Sequence, residues 1–220
     1  MRCLEFSLLF LMLVSIFSGC VPMISHNIVT DYKERMPTSI AVLPIQNETV
    51  DMDAPKIFRH RLVSTVFHKG YVSPPEAEID SKLLERDIRE AGQLGSMTPQ
   101  EIGKHLNIDA LLYTTVTQCS TVYLVSYASL KVGARFKLID VKTGEQLWGS
   151  EHEVVERKLC LDEDSIEECL TFAILQEYDP YVKILIGSAF SILPNGPKYV
   201  SPRKRPKHIP RKGLRRHLYP

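Results

Sequence analysis

The sequence predicts an α/β fold: a single domain over residues 37–195 with a mixed sheet, in which βα units are followed by antiparallel strands, and flanking helices. Three observations carry that reading. A short, β-branched apolar run at 39–45 leads into an amphipathic helical pattern. The hydrophobic period then changes to strand-like alternation through the middle of the chain. A helical stripe returns after residue 165.

Taken in order, Pro37-Thr38 opens "SIAVLPI" (39–45), which has the composition of a buried strand. Residues 47–55 read as a loop, with Asp53 or Ala54-Pro55 placed to start a helix. Phe58, Leu62 and Val66 follow at a spacing of four, flanked by Val63 and Phe67, and Gly70 supplies a stop. That pattern is a helix lying on a sheet. "YVSPP" (71–75) reads as a short second strand ended by prolines, and a charged helix is expected near 82–91, closed by Gly92. "TPQE" (98–101) is a capping signature, with Thr98 as N-cap, Pro99 in the first helical position and Glu101 reaching back. The helix it starts is expected to run to about His105.

The second half begins with "DALLYTTVTQ" (109–118), rich in Leu, Tyr, Thr and Val, a central strand. Val132, Ala134, Phe136 and Leu138 alternate with Gly133, Arg135 and Lys137, a half-exposed strand. "DVKTGE" (140–145) is a turn, and "QLWGSEHEVVE" is the strand coming back. Ser165-Ile166-Glu167-Glu168 reads as a second capping box. Ile166, Cys169, Leu170, Ala173 and Ile174 then form a helical stripe, and residues 182–193 are an apolar segment too short to span a bilayer and expected to pack on the sheet.

The termini have a different character. Arg2 precedes an apolar segment over 6–17, the length of a signal-peptide hydrophobic region rather than of a spanning helix. "IFSGCVP" closes it: small residues Ser18 and Gly19, then Cys20. An ordinary secretory signal with an incidental cysteine would share much of this pattern. Residues 20–36 are mixed and weakly periodic and read as a tether. At the other end, residues 196–220 form a basic tail with five prolines. Its last twenty residues, 201–220, hold eight cations (Arg203, Lys204, Arg205, Lys207, Arg211, Lys212, Arg215 and Arg216) and no Asp or Glu, so removing them from the formal net of +1 leaves −7 on residues 1–200. The prolines exclude a continuous basic helix.

Ser18-Gly19-Cys20 resembles the lipobox of bacterial lipoproteins, although Phe17 stands where Leu is common. The resemblance implies cleavage after residue 19, a diacylglyceryl thioether on Cys20 and a further, palmitate-type acyl chain on its amine. Two or three such chains anchor stably. Val21, rather than Asp, after the cysteine resembles lipoproteins sent to the outer membrane. "SIAVLPIQNETVDMDAP" (39–55), "IDALLYTTVTQCSTVY" (108–123) and "LIDVKTGEQLWGS" (138–150) together resemble a domain-of-unknown-function family of bacterial lipoproteins whose best-known member type is a meningococcal lipoprotein antigen. Its fold is similar to the N-terminal domain of the Tol translocation protein and to lipoproteins of curli export and penicillin-binding-protein activation. This resemblance implies a periplasm-facing, non-catalytic module that assembles with itself or other envelope proteins, in a transport or secretion system. The basic tail lies outside the pattern.

The residues themselves offer no GxSxG, HExxH, P-loop or dinucleotide fingerprint, and neither an enzyme nor a cofactor is expected. His60 and His68 lie eight apart, which is not a metal pair; no metal site is expected. Asp51 and Asp53 precede a helix start, where carboxylates cap. Of the five cysteines, Cys3 belongs to the leader. Cys160 and Cys169 bracket a loop running into a helix, and either a disulfide or a buried thiol at 169 fits that placement; Cys119 is the odd one. The tail has the composition of a polyanion-binding arm. In an envelope protein its partners are lipid headgroups, lipopolysaccharide phosphates or peptidoglycan, not nucleic acid, and a solvated extension is the alternative.

Overall fold

The computed structural model describes residues 25–124, 126–175 and 177–201. Six strands build one open sheet in the order β1-β6-β5-β4-β2, with β3 also beside β4. β1 spans Ser25–Ile28, β2 Ile40–Val42, β3 Gln46–Asn47, β4 Ala110–Leu124, β5 Tyr127–Asp140 and β6 Gln146–Leu159. Helices α1 (Ala54–His68), α2 (Glu76–Leu84) and α3 (Pro99–Leu106) lie between β3 and β4, with a short 3-10 helix at Ala91–Ser96. Helices α4 (Glu163–Leu175) and α5 (Asp179–Phe190) follow β6. β2 and β3 run parallel to β4 because helices carry the chain back between them; β4, β5 and β6 form an antiparallel meander joined by tight turns. The α/β class, the mixed sheet and the flanking helices agree with the sequence.

Register sorts the side chains onto two faces, because directly opposed residues in a ladder point the same way. Leu112, Leu138 and Trp148 share one row, and Thr114, Phe136 and Ser150 the next. Helices α1 and α5 cover this face. Phe58, Leu62 and Val66 of α1 are fully buried there, at the spacing of four read from the sequence. Trp148 packs on Phe190 of α5 with ring centroids 4.9 Å apart, and Phe136 meets Phe190 edge-on at 5.4 Å. Truncating one such aromatic to Ala costs ~3–5 kcal/mol. An Arg61–Asp179 ion pair adds a tie between α1 and α5.

On the opposite face a second core forms only at the β2 end. Ala41, Leu43 and Leu111 meet Ile79 and Leu83 of α2 and Ile102 and Leu106 of α3. α3 starts at the capping box read from "TPQE": the Thr98 hydroxyl accepts from Glu101 N, and Glu101 Oε2 accepts from Thr98 N at 2.7 Å.

Several elements differ from expectation. The charged helix starts directly after Pro74-Pro75, not at 82, and places Glu76 and Glu78 in its first turn. It ends at Leu84, and Asp87 takes a left-handed backbone (φ 59°) that turns the chain away. "YVSPP" contributes one parallel bridge, Val72 to Ser39, rather than a strand. The capping box at α4 sits three residues upstream: Asp162 Oδ1 accepts from Ser165 N, and the Ser165 hydroxyl accepts from Leu161 N and Asp162 N. Ser165 is therefore the returning member, not the cap. Only Cys169 and Ala173 of the stripe are buried on α4, while Leu170 and Ile174 stay exposed.

The largest correction concerns residues 25–36, read as tether. They are built into the domain. Ser25–Ile28 pairs with β6, from Ser25 opposite Glu151 to Ile28 opposite Trp148. Tyr32 is buried, and its hydroxyl meets Tyr71 at 2.9 Å. Arg35 binds Asp140, Thr143 and Glu145 on the β5–β6 turn at 2.6–3.0 Å. At the other end the chain continues past 195 along Gly70, whose N–H side and carbonyl are held by α1 and by Lys198 N. Gly70 needs φ +87°, and any β-carbon there would enter the backbone of Tyr199.

Candidate functional site

Beyond the second core, which Tyr113 borders, the face of the sheet that carries Thr115, Arg135 and Lys137 has no helix over it among the described residues; α4 and α5 pack on β6 from the other side. Its cross-strand rows are fixed by register: Thr115–Arg135–Glu151, Ser120–Lys131–Val155, Val122–Ser129–Arg157 and Leu124–Tyr127–Leu159. Arg135 donates from Nε and Nη2 to Glu151 at 3.2–3.3 Å, with Glu48 also near. Where this face meets the second core, a groove of ≈ 440 Å³ lies between Leu94, Met97 and the Tyr113–Lys137 row. Mixed charge beside an apolar wall suits a polypeptide surface better than a small substrate.

The sheet also has free edges. β1 covers β6 only as far as Glu151, so residues 152–159 have no strand beyond them among the described residues. β3 reaches only Val116 of β4, which leaves 118–124 open on the opposite edge. Between these edges the meander projects past both cores. Its end carries exposed Val122, Leu124, Leu159 and Leu161. On the helix-covered face of this projection, Ala128 and Tyr123 meet Cys169, Ile166 and Phe172 of α4, and Lys158 Nζ lies 5.1 Å from the Phe172 ring.

The structure joins Cys160 to Cys169 in a disulfide, so the residue that follows β6 is stapled to α4. Asp51, not Asp53, caps α1: its Oδ1 accepts from Asp53 N at 2.9 Å and Ala54 N at 3.0 Å. His68 Nδ1 contacts the Ser64 carbonyl within α1. Cys119 is a buried free thiol, pushed up to about 12 by burial and by the nearby Asp51 carboxylate. A thiol so placed stays protonated and is no nucleophile. At Asp140, burial acts to raise the carboxyl, but hydrogen bonds from Thr143, Arg35 and Lys142 N outweigh it and hold the group below the usual range. Its role is to pin Arg35. Among the described residues no three metal-ligating side chains converge, and no helix is long and apolar enough to cross a membrane. Cys20 and the eight tail cations lie outside the described residues.

The open face was readable in part, since Arg135 and Lys137 already alternate with core residues. The apolar end of the meander was missed. Its signal was "YLVSY" at 123–127, a hairpin connection with no Gly, Asn or Asp.

A family model described as "Putative lipoprotein GNA1162-like" matches residues 29–179, and the chain belongs to that family. A curated relative, "Putative lipoprotein NMB1124/NMB1162" of Neisseria meningitidis serogroup B, is 27% identical over 127 residues, 58% of this chain and 59% of its own length. The chain therefore spans about three fifths of that relative. Among solved structures, lipoprotein GNA1162 from Neisseria meningitidis is similar at 24% identity and TM-score 0.48, over 64% of this chain and 97% of that one. A PelC dodecamer from Paraburkholderia phytofirmans follows at 16% and 0.46 (77% and 94%), and E. coli LpoB at 13% and 0.41 (55% and 57%). Membership in a lipoprotein family implies association with the cell envelope.

Proposed function

We propose that this protein is a lipid-anchored, periplasm-facing accessory protein that assembles with copies of itself or with other envelope proteins, in a transport or secretion system. The observation that carries the reading is a pair of strand edges, 118–124 and 152–159, that no strand among the described residues pairs, flanking a sheet face that no described helix covers. Such an edge offers unpaired N–H and C=O groups, and a partner strand can satisfy them while side chains on alternate positions select it. Charges at Glu153, Arg157 and Lys158 punctuate the β6 edge and disfavour indiscriminate pairing. The chemistry of the described residues suits binding rather than turnover: the free thiol is held protonated, and Asp51 and Asp140 are spent on structural hydrogen bonds. In this reading Cys20 carries the lipid and Val21 directs the chain to the outer membrane.

Photo-crosslinking residues at Gln118 and Glu153, in intact cells at native expression, test it. A recurrent adduct, with this chain or with one envelope protein, is the expected result. Adducts scattered among unrelated neighbours would overturn it.

A second reading rests on the tail. Eight cations without a counter-charge leave the body at a defined exit beside Gly70, and each Lys or Arg near an anionic surface adds ~1 kcal/mol. Deleting residues 202–220 should then abolish retention on peptidoglycan or anionic vesicles. Retention that is unchanged and salt-insensitive would reject this reading.

A further inference from the structure

Among the described residues, nothing covers the apolar end of the meander. Leu124 is 61% exposed, Leu159 71% and Leu161 80%, with Val122 at 45% beside them. The connection they flank, "LVSY" at 124–127, is apolar where hairpin turns are ordinarily Gly, Asn or Asp. Three large aliphatic side chains this exposed at one projecting end mark a contact surface rather than scattered surface leucines.

What covers it follows from the length and direction of the chain outside the described residues. Cys20 precedes Ser25 by five residues, a reach of at most about 18 Å. β1 runs antiparallel to β6 with Ser25 opposite Glu151, so the chain enters the sheet from the side toward which β6 runs on. Leu159 lies eight residues further that way, about 27 Å at ~3.4 Å per residue. A leash of that length drawn out along β6 ends short of Leu159, so strands that point toward the surface in which Cys20 is anchored bring the apolar end into it. Had residues 20–36 been a free tether, the domain could stand well off; with 25–36 folded, it is held within the reach of five residues.

We propose that the end of the β4–β5–β6 meander, Leu124, Leu159 and Leu161 foremost, seats in the interfacial layer of the bilayer that holds the Cys20 lipid. This rests on the lipid-anchor part of the function proposed above. The lipid then fixes position and the meander fixes orientation, presenting the free edges sideways, parallel to the membrane, where neighbours on the same leaflet can reach them. Asp162, Glu163 and Asp164 stand beside the apolar end, so zwitterionic lipid is the surface it fits.

Trp148 is the chain's single tryptophan and is fully buried, which makes an added tryptophan readable above a constant background. The test uses full-length, lipidated protein carrying Leu161→Trp or Leu124→Trp, in phosphatidylethanolamine–phosphatidylcholine vesicles with plain or dibrominated chains. Lys104→Trp, on α3 at the opposite end of the strands, is the control. Both meander variants are expected to emit further to the blue and to lose intensity severalfold in brominated vesicles, with the control unchanged. Unquenched emission at both positions, with mass spectrometry showing lipid on Cys20, would overturn the inference and leave the anchor standing. A blue shift without quenching would overturn it too, because the end would then be covered by protein. An unlipidated Cys20 would bring down the anchor reading and this inference together.

Discussion

The hydroxyls of Tyr32 and Tyr71 lie 2.9 Å apart inside the core, and Tyr71 donates in turn to the Pro194 carbonyl at 2.7 Å. Tyr71 has one proton to give, so Tyr32 is the donor to Tyr71. Three segments far apart in sequence are thus tied by two bonds. Tyr32→Phe removes a donor and leaves the Tyr71–Pro194 bond; it should cost ~1 kcal/mol in urea unfolding, whereas Tyr71→Phe strands both partners and should cost ~2–3 kcal/mol.

The same pair sets an alkaline limit. Burial, first, raises both phenols, Tyr32 well beyond the ordinary range. A group protonated in the fold and ionised when unfolded contributes stability fully below its unfolded pKa and loses it as pH rises through the folded one. Stability should therefore fall above about pH 10, the ordinary phenol value. The double Phe variant should show a shallower fall in pH-dependent urea midpoints; an unchanged slope would assign the alkaline limit to other groups.

Most of the fold is legible where local rules act alone. The spacing of Phe58, Leu62 and Val66, the Thr98–Glu101 box and the alternation around Phe136 all report backbone period directly. Tyr32 and Arg35 were not legible, because their segment has no period of its own. It is ordered by single long-range contacts, a buried hydroxyl pair and an ion cluster on the β5–β6 turn, that no local pattern announces. The open face has the same difficulty in reverse: Arg135 and Lys137 look like any solvated strand face until one sees which helices fail to cover them.

The disulfide should matter locally. Closing a ten-residue loop is worth ~2–3 kcal/mol through the unfolded chain. Cys160→Ser with Cys169→Ser should lower the unfolding free energy in urea by that amount and speed amide exchange in α4 first, since its other anchors to the projection are Ile166 and Phe172. Uniformly faster exchange in α1 and α5 would show that the bond serves the whole core instead.

Gly70→Ala should unhook the C-terminal segment. The residue has φ +87°, and a β-carbon would enter the Tyr199 backbone, displacing the Gly70 O–Lys198 N and Lys69 O–Gly196 N bonds. Strain of this kind costs ~1–3 kcal/mol. Limited proteolysis should cut near residues 194–201 well before the body, whereas the native chain should resist there.

Arg35→Gln should move the acid limb of stability to higher pH. Asp140 is held below the usual carboxylate range against its own burial, partly by Arg35 at 3.0 Å. A carboxyl with a depressed folded pKa contributes above its unfolded pKa and loses that contribution as pH falls through the folded value. Without Arg35 the loss begins earlier on acidification, read as a higher midpoint in acid unfolding. An unmoved midpoint would leave Thr143 and Lys142 N as the groups that hold Asp140.

Cys119 tests the binding-not-turnover reading from inside the core. Its thiol is 3% exposed and pushed up to about 12 by burial and then by Asp51. Thiolate, not thiol, attacks disulfide reagents, so a group with that pKa near neutral pH holds only ~10⁻⁵ of itself in reactive form. With Cys160 and Cys169 joined, the folded body should show no fast-reacting thiol toward an aromatic disulfide reagent. Reaction should appear only at the rate of unfolding and rise with urea. A thiol that reacts at once in native buffer would mean that Cys119 is reached by solvent and activated, and the case for a catalytic cysteine would have to be reopened.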